Sequence, residues 1–197
     1  MTDQKPELFF FRKLPENLGS SEFLVNSLQS LETSFMLIAT GRFVHALVNC
    51  VSAIEGALRS ANIGGKERDS FKTLIKKARR APNASGRLAE FGQTKVDELR
   101  ETRNQIVHRG FTPRDNSQCV YLFLVIGLPL LDIVYDNFHS IRLYEDLRRD
   151  LADHLKIAER VCMQAARLGI DMTYCIGSFA HLVRRVFQPT FRAIGNG

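Results

Sequence analysis

Apolar residues recur in this chain every three or four positions over long stretches, and almost nowhere at every second position. That period places them on one face of a helix, whereas a half-buried strand needs strict alternation. No Asn-Gly or Asp-Gly pair joins two β-branched runs, so hairpin signals are missing too. With 197 residues, 45% of them apolar, the chain is long enough and greasy enough for a real core. The pattern therefore predicts an all-α fold, an antiparallel helical bundle formed as one domain, or as one domain with an appended helical hairpin.

The expected elements follow from periodicity and punctuation. A first helix runs from about Ser21, a good N-cap, to Ala39, with Phe23, Leu24, Leu28, Leu31, Phe35 and Ile38 on one side. Thr40-Gly41 ends it. A second runs from Phe43 to Ala61 and closes before Gly64-Gly65, and a third spans about Glu67 to Arg80. Ala81 to Gln93, holding Pro82, Gly86 and Gly92, reads as loop. A fourth helix starts near Thr94 and stops at Gly110, with Pro113 beyond. The apolar helix from Asn116 to about Asn137 should bend at Pro129, which has no amide proton to give. Two amphipathic helices close the chain, about Ile141 to Leu168 and Asp171 to Phe187. These divide it into an N-terminal arm (1–20, with Leu8 to Phe11 as a docking patch), a bundle (21–138) and a C-terminal extension (139–197).

Charge narrows the partners. An excess of Lys and Arg leaves a net +6, which favours an anionic partner, nucleic acid first and a membrane surface second. Cys50, Cys119, Cys162 and Cys175 show no C-x-x-C spacing and read as buried free thiols, which fits a reducing cytoplasm. Met1 to Pro6 is polar and gives no signal-peptide start, and Cys119 to Leu131 is short for a bilayer span. The expectation is a soluble cytoplasmic protein with no membrane association.

One segment carries chemistry: Glu98 to Phe111, whose core is Arg103-Asn104-x-x-x-His108. Asn104 and His108 are i, i+4 neighbours on one helix face, and Arg100 extends that stripe by a turn. Arg103 lies about 140° round from His108 on an ideal helix. A guanidinium, an amide and an imidazole are the groups a phosphodiester needs: a planar fork, a positioning donor and a group that titrates near neutrality. The spacing alone is weak, because Arg149 and His154 repeat it. That copy sits within a long charged helix, with pairs such as Glu145 to Arg149, and reads as a solvated face. The Arg103 copy ends its helix before a glycine turn. Lys76, Lys77, Arg79 and Arg80 form a candidate RNA-backbone patch, with Arg100 and Arg109 as further contacts. Phe91 and Phe111 read as core aromatics more than base-stacking platforms, and His45, His139 and His181 as structural histidines.

Arg103-Asn104-x-x-x-His108 at a helix end resembles the signature of HEPN domains, an all-α family with this motif on a core helix. The second helix adds to the resemblance. Ala46 to Arg59 has a small-residue face, and Glu55 stands at the family's acidic position before Ala57-Leu58. The resemblance covers about Ser21 to Asn137. It implies a metal-independent endoribonuclease without cofactor, often a toxin or antiphage effector, working as a homodimer through the motif-bearing helices. His108 would be the general acid or base at the ribose 2′-hydroxyl, Arg103 would hold the scissile phosphate, and Asn104 would orient it. Glu55 would tether Arg103, and an antitoxin or regulatory protein would restrain the enzyme. The sequence itself shows no Asp/Glu or His/Cys set at metal-ligand spacing. Some toxin members carry a tyrosine two residues after the histidine; Gly110 stands there in this chain. A non-catalytic module of the same fold, binding nucleotide, RNA or a protein, is the alternative.

Overall fold

The computed structural model describes residues 21–66, 68–110, 116–143 and 167. The N-terminal arm, Phe111, Pro113, Cys162, Cys175, His181, the Arg149–His154 copy and nearly all of the two C-terminal helices lie outside the described residues. Among the described residues every regular element is helical and none is a strand, as the periodicity predicts.

The first pair, α1 (Glu22–Ala39) and α2 (Phe43–Ser60), forms the most extensive helix–helix contact of the fold. Ser21 takes the extended N-cap backbone (φ −108°, ψ 107°), and its carbonyl accepts from Leu24 and Val25, but its hydroxyl caps nothing. The expected apolar face holds for Leu24, Leu28, Leu31, Phe35 and Ile38, all buried, whereas Phe23 is 46% exposed. The small-residue face of α2 explains how closely the two helices approach. A Cβ on Gly56 would lie 2.9 Å from the Phe23 carbonyl oxygen and 3.0 Å from Ser27 Cβ. Beside this contact the Ser27 hydroxyl donates to the Ala53 carbonyl (2.5 Å) and meets the Tyr135 hydroxyl at 2.6 Å. With its one proton committed to Ala53, Ser27 is the acceptor from Tyr135, so both buried hydroxyls are satisfied.

Helix α3 (Phe71–Arg80) starts four residues later than the spacing predicts. The reason is local. Asp69 Oδ2 accepts the Lys66 amide at 2.7 Å, the Asp69 amide donates back to the Lys66 carbonyl, and the Ser70 hydroxyl then caps the Thr73 amide. The segment expected to be loop contains a short helix, α4 (Gly86–Glu90), capped by Ser85 onto Leu88. Arg87 of α4 pairs with Asp132 (2.9 Å) and Asp136 (3.5 Å), and the Ser85 amide donates to Asn137 Oδ1 at 2.6 Å. Burial pushes the Asp132 carboxyl above its ordinary range, and the Arg87 guanidinium opposes that shift.

After α5 (Gln93–Arg109), a nearly continuous helical rod runs through the buried core. It consists of α6 (Asn116–Tyr121), a π-helical segment (Leu122–Gly127) and α7 (Leu128–His139). Where a bend at Pro129 was expected, the rod takes this wider register just before the proline. Pro129 has no amide proton for the Val125 carbonyl, and the Leu128 amide already bonds five residues back, to Phe123. Gly127 lets α2 close on the widened turn: a Cβ there would stand 2.4 Å from Cys50 Sγ. At the far end His139 Nε2 donates to the Ala57 carbonyl (2.8 Å) and lies 3.2 Å from the Ser60 hydroxyl, closing the last turn of α2. Desolvation lowers the pKa of this histidine, and the bond to Ala57 offsets only part of that.

The rod corrects one sequence expectation. Gln118–His139, 22 residues whose most apolar 18-residue window has mean hydropathy 1.9, is long and apolar enough to cross a membrane by length and composition, and Cys119 to Leu131 understates it. Here 78% of that window is buried within the protein. Cys50 and Cys119 are buried free thiols, as their surroundings suggest. Phe91 packs against the core, and His45 is exposed.

Candidate functional site

Helix α5 anchors itself through its first two-thirds. Val96, Leu99 and Thr102 are its buried residues, and beyond them only Ile106 packs against the core. The last turn stands clear: Val107 is 45% exposed, and His108, Arg109 and Gly110 are exposed. Gly110 ends the helix in the left-handed region (φ 61°, ψ 20°), its amide donating to the Gln105 carbonyl. A side chain would strain that backbone, which is why glycine marks the stop so clearly in the sequence.

The motif residues divide around the helix. Arg103 is seven residues from Val96, within about 20° of its azimuth, and so rises from the core-facing side. It is half-buried, and Nη1 donates to Asn104 Oδ1 at 3.2 Å. Its Nε is buried with no partner among the described residues, an unsatisfied donor of the kind that costs about 1–3 kcal/mol. The structure thus joins Arg103 to Asn104 and leaves His108 apart on the open side. Glu55 is half-buried on α2 and makes no hydrogen bond or ion pair with Arg103. Its expected tethering role is not what the structure shows; Asn104 holds the guanidinium instead. Arg100 is engaged within its own helix, Nε lying 3.7 Å from Asp97 Oδ1.

The basic patch also divides. Lys77 binds Asp69 Oδ2 (2.7 Å) and the Gly64 carbonyl (2.8 Å), fastening the turn that precedes α3. Arg79 donates to Gln93 Oε1 and to the Phe91 carbonyl, tying α3 to the start of α5. Lys76 and Arg80 are exposed. With Lys72, Arg79, Gln93 and Asp97 they line a groove of about 390 Å³ between α3 and α5. Lys72, Gln93 and Asp97 escaped the sequence reading, which took only the basic tail of α3. The i, i+4, i+8 series Lys72, Lys76, Arg80 was the signal that could have found the groove.

Among the described residues no three His, Cys, Asp or Glu side chains are grouped to hold a metal ion. The Cys50 thiol is fully buried, and desolvation pushes its pKa far up, so it is no nucleophile in this fold. Comparison with known proteins adds no assignment: no family model, no curated protein and no solved structure matches the chain.

Proposed function

We propose that the chain is a HEPN-type endoribonuclease, acting without a metal ion as an antiparallel bundle that dimerises through the open end of α5. The observation carrying this reading is the exposed last turn of α5, where His108 stands free above a half-buried, anion-ready Arg103–Asn104 pair. The unpartnered Nε of Arg103 is a donor that a phosphate oxygen would satisfy. In the reaction the ribose 2′-oxygen attacks the adjacent phosphorus and the bond to the 5′-oxygen breaks. His108 takes the 2′-hydroxyl proton or supplies the proton to the departing 5′-oxygen, and Arg103 offsets charge on the phosphoryl oxygens. Products are a 2′,3′-cyclic phosphate and a 5′-hydroxyl. Because Arg103 and His108 rise from different sides of one helix, the active arrangement pairs residues from two copies. The three-residue connection from α1 to α2 and the Ser27–Ala53 bond agree with the antiparallel part of the reading. Cytoplasmic action as a toxin or defence effector, restrained by a partner protein, belongs to the same proposal. Gly110 in place of the tyrosine leaves no site for nucleotide modification there.

A second reading has its own observation. Glu55 does not engage Arg103, and no single chain joins Arg103 to His108, which suits a non-catalytic module that binds RNA or nucleotide at the same place. Total RNA incubated in chelator separates the two. Wild-type protein should yield fragments with cyclic phosphate ends, and His108→Ala should cut at least about 100-fold more slowly with its helical circular dichroism intact. Equal cutting by the variant would end the ribonuclease reading. Tight RNA binding without cutting by the wild type would favour the module.

A further inference from the structure

The cations of α3 fall into two sets. Lys77 and Arg79 close bonds inside the fold, whereas Lys72, Lys76 and Arg80 are exposed and form no hydrogen bond or ion pair among the described residues. These three occupy one face of α3, turned away from its buried residues Phe71, Leu74, Ile75 and Ala78. That face is one wall of the α3–α5 groove. The other wall is the start of α5, which has no capping side chain at Gly92 and no acidic residue in its first turn, so the amide end adds to the positive field. Among the described residues one carboxylate lines the groove, Asp97: its Oδ2 accepts from Gln93 Nε2 at 3.0 Å, and its Oδ1 lies 3.7 Å from Arg100 Nε without a hydrogen bond.

We propose that this groove binds the phosphodiester backbone of a single-stranded nucleic acid and delivers the strand along α5 to the Arg103 region. Lys72 to Arg80 spans about 12 Å of helix, too long for one phosphate and right for successive phosphates of a strand. On α5, Gln93, Asp97, Arg100, Asn104 and His108 fall within one arc of about 80°, so a strand leaving the groove continues over the motif. From Asp97 to His108 the path is about 16 Å. A lipid surface fits less well: the apolar side of α3 is buried, and of the exposed large apolar residues among those described, Phe23 and Tyr121 lie on other helices and Val107 at the far end of α5. The binding function of the groove stands by itself; only its delivery role rests on the ribonuclease reading.

The test uses the full chain carrying His108→Ala, a fluorescent single-stranded RNA, and anisotropy over a salt series. Lys72→Gln, Lys76→Gln and Arg80→Gln together should weaken binding at least about tenfold and flatten the log affinity against log salt slope by about 2, from three lost phosphate contacts. Arg42→Gln, a charge removed elsewhere, should change affinity less than about twofold. Should the triple variant lose its helical signal, the three single variants carry the test, each lowering the slope by about 0.7. DNA of the same sequence should bind comparably, because the groove reads backbone. Unchanged RNA affinity in the triple variant overturns the proposal whatever the cleavage result. So does wild-type binding to anionic vesicles, but not to RNA, that the triple variant abolishes. If binding depends on the three cations while the unsubstituted protein cuts nothing, the groove stands and the ribonuclease reading falls.

Discussion

Helix α7 and the last turn of α5 are opposite solutions to the same problem of placing a helix. In α7, Leu128, Leu130, Leu131, Asp132, Ile133, Val134 and Tyr135 are all buried, and even its carboxylate and phenol have partners. After Thr102, α5 buries nothing fully and ends in three exposed residues before Gly110. Folding free energy is concentrated where side chains leave water, and chemistry needs side chains that stay reachable. The contrast teaches that the rod sets stability and the end of α5 is free to serve a site.

The largest blow to that contrast should come from the rod. Leu131→Ala, at a fully buried position, should cost about 2–5 kcal/mol in urea unfolding, from lost transfer energy and the cavity left behind. A loss under about 1 kcal/mol would mean the rod is not the core. Gly127→Ala comes next, at about 1–3 kcal/mol, because its methyl would collide with the Cys50 sulfur. Adding Cys50→Ala removes that sulfur, so the double variant should be more stable than the two single losses sum to, a coupling a thermodynamic cycle measures.

A smaller effect sharpens the picture at the rod's end. His139 has a folded pKa lowered below its ordinary value of 6.5, so the unfolded chain takes up the proton first. Its contribution is therefore complete above about pH 6.5 and is lost as pH falls below that, through the depressed folded value. His139→Gln should remove this part of the pH dependence in thermal unfolding, and an unchanged profile would locate the titration elsewhere. The smallest stability change belongs to α5: His108→Ala and Val107→Ala should each stay within about 0.5 kcal/mol of wild type. If either destabilises like Leu131→Ala, the separation of core from site is wrong.

What the sequence made legible follows from which physical signals are written locally. Ser21, Gly110 and the apolar spacings between them fixed α1, α2 and α5 to within about two residues, since caps and periodicity are read from neighbours in the chain. The start of α3 was missed because Ser70 and Asp69 compete for the backbone with a turn that residue pattern alone does not rank. The π-register was illegible for another reason: hydrophobic spacing does not record which carbonyl each amide chooses. At the site, the Arg103-Asn104-His108 trio was visible, but Arg103 chose its sequence neighbour Asn104 over Glu55 on a different helix. The basic tail of α3 likewise hid a division of labour, because Lys77 and Arg79 find partners only once distant segments meet.

Cys50 turns the tight seam between α2 and the π-helical turn into a clock. Its sulfur is sealed against Gly127, and the thiol is held protonated by burial, so a thiol-directed reagent reacts only during moments when the seam is open. In a chain keeping Cys50 as its sole cysteine, the labelling rate under native conditions reads how often the heart of the bundle breathes. Helix α5 packs against both α2 and the π-helical turn, so RNA bound along α5 should slow that rate.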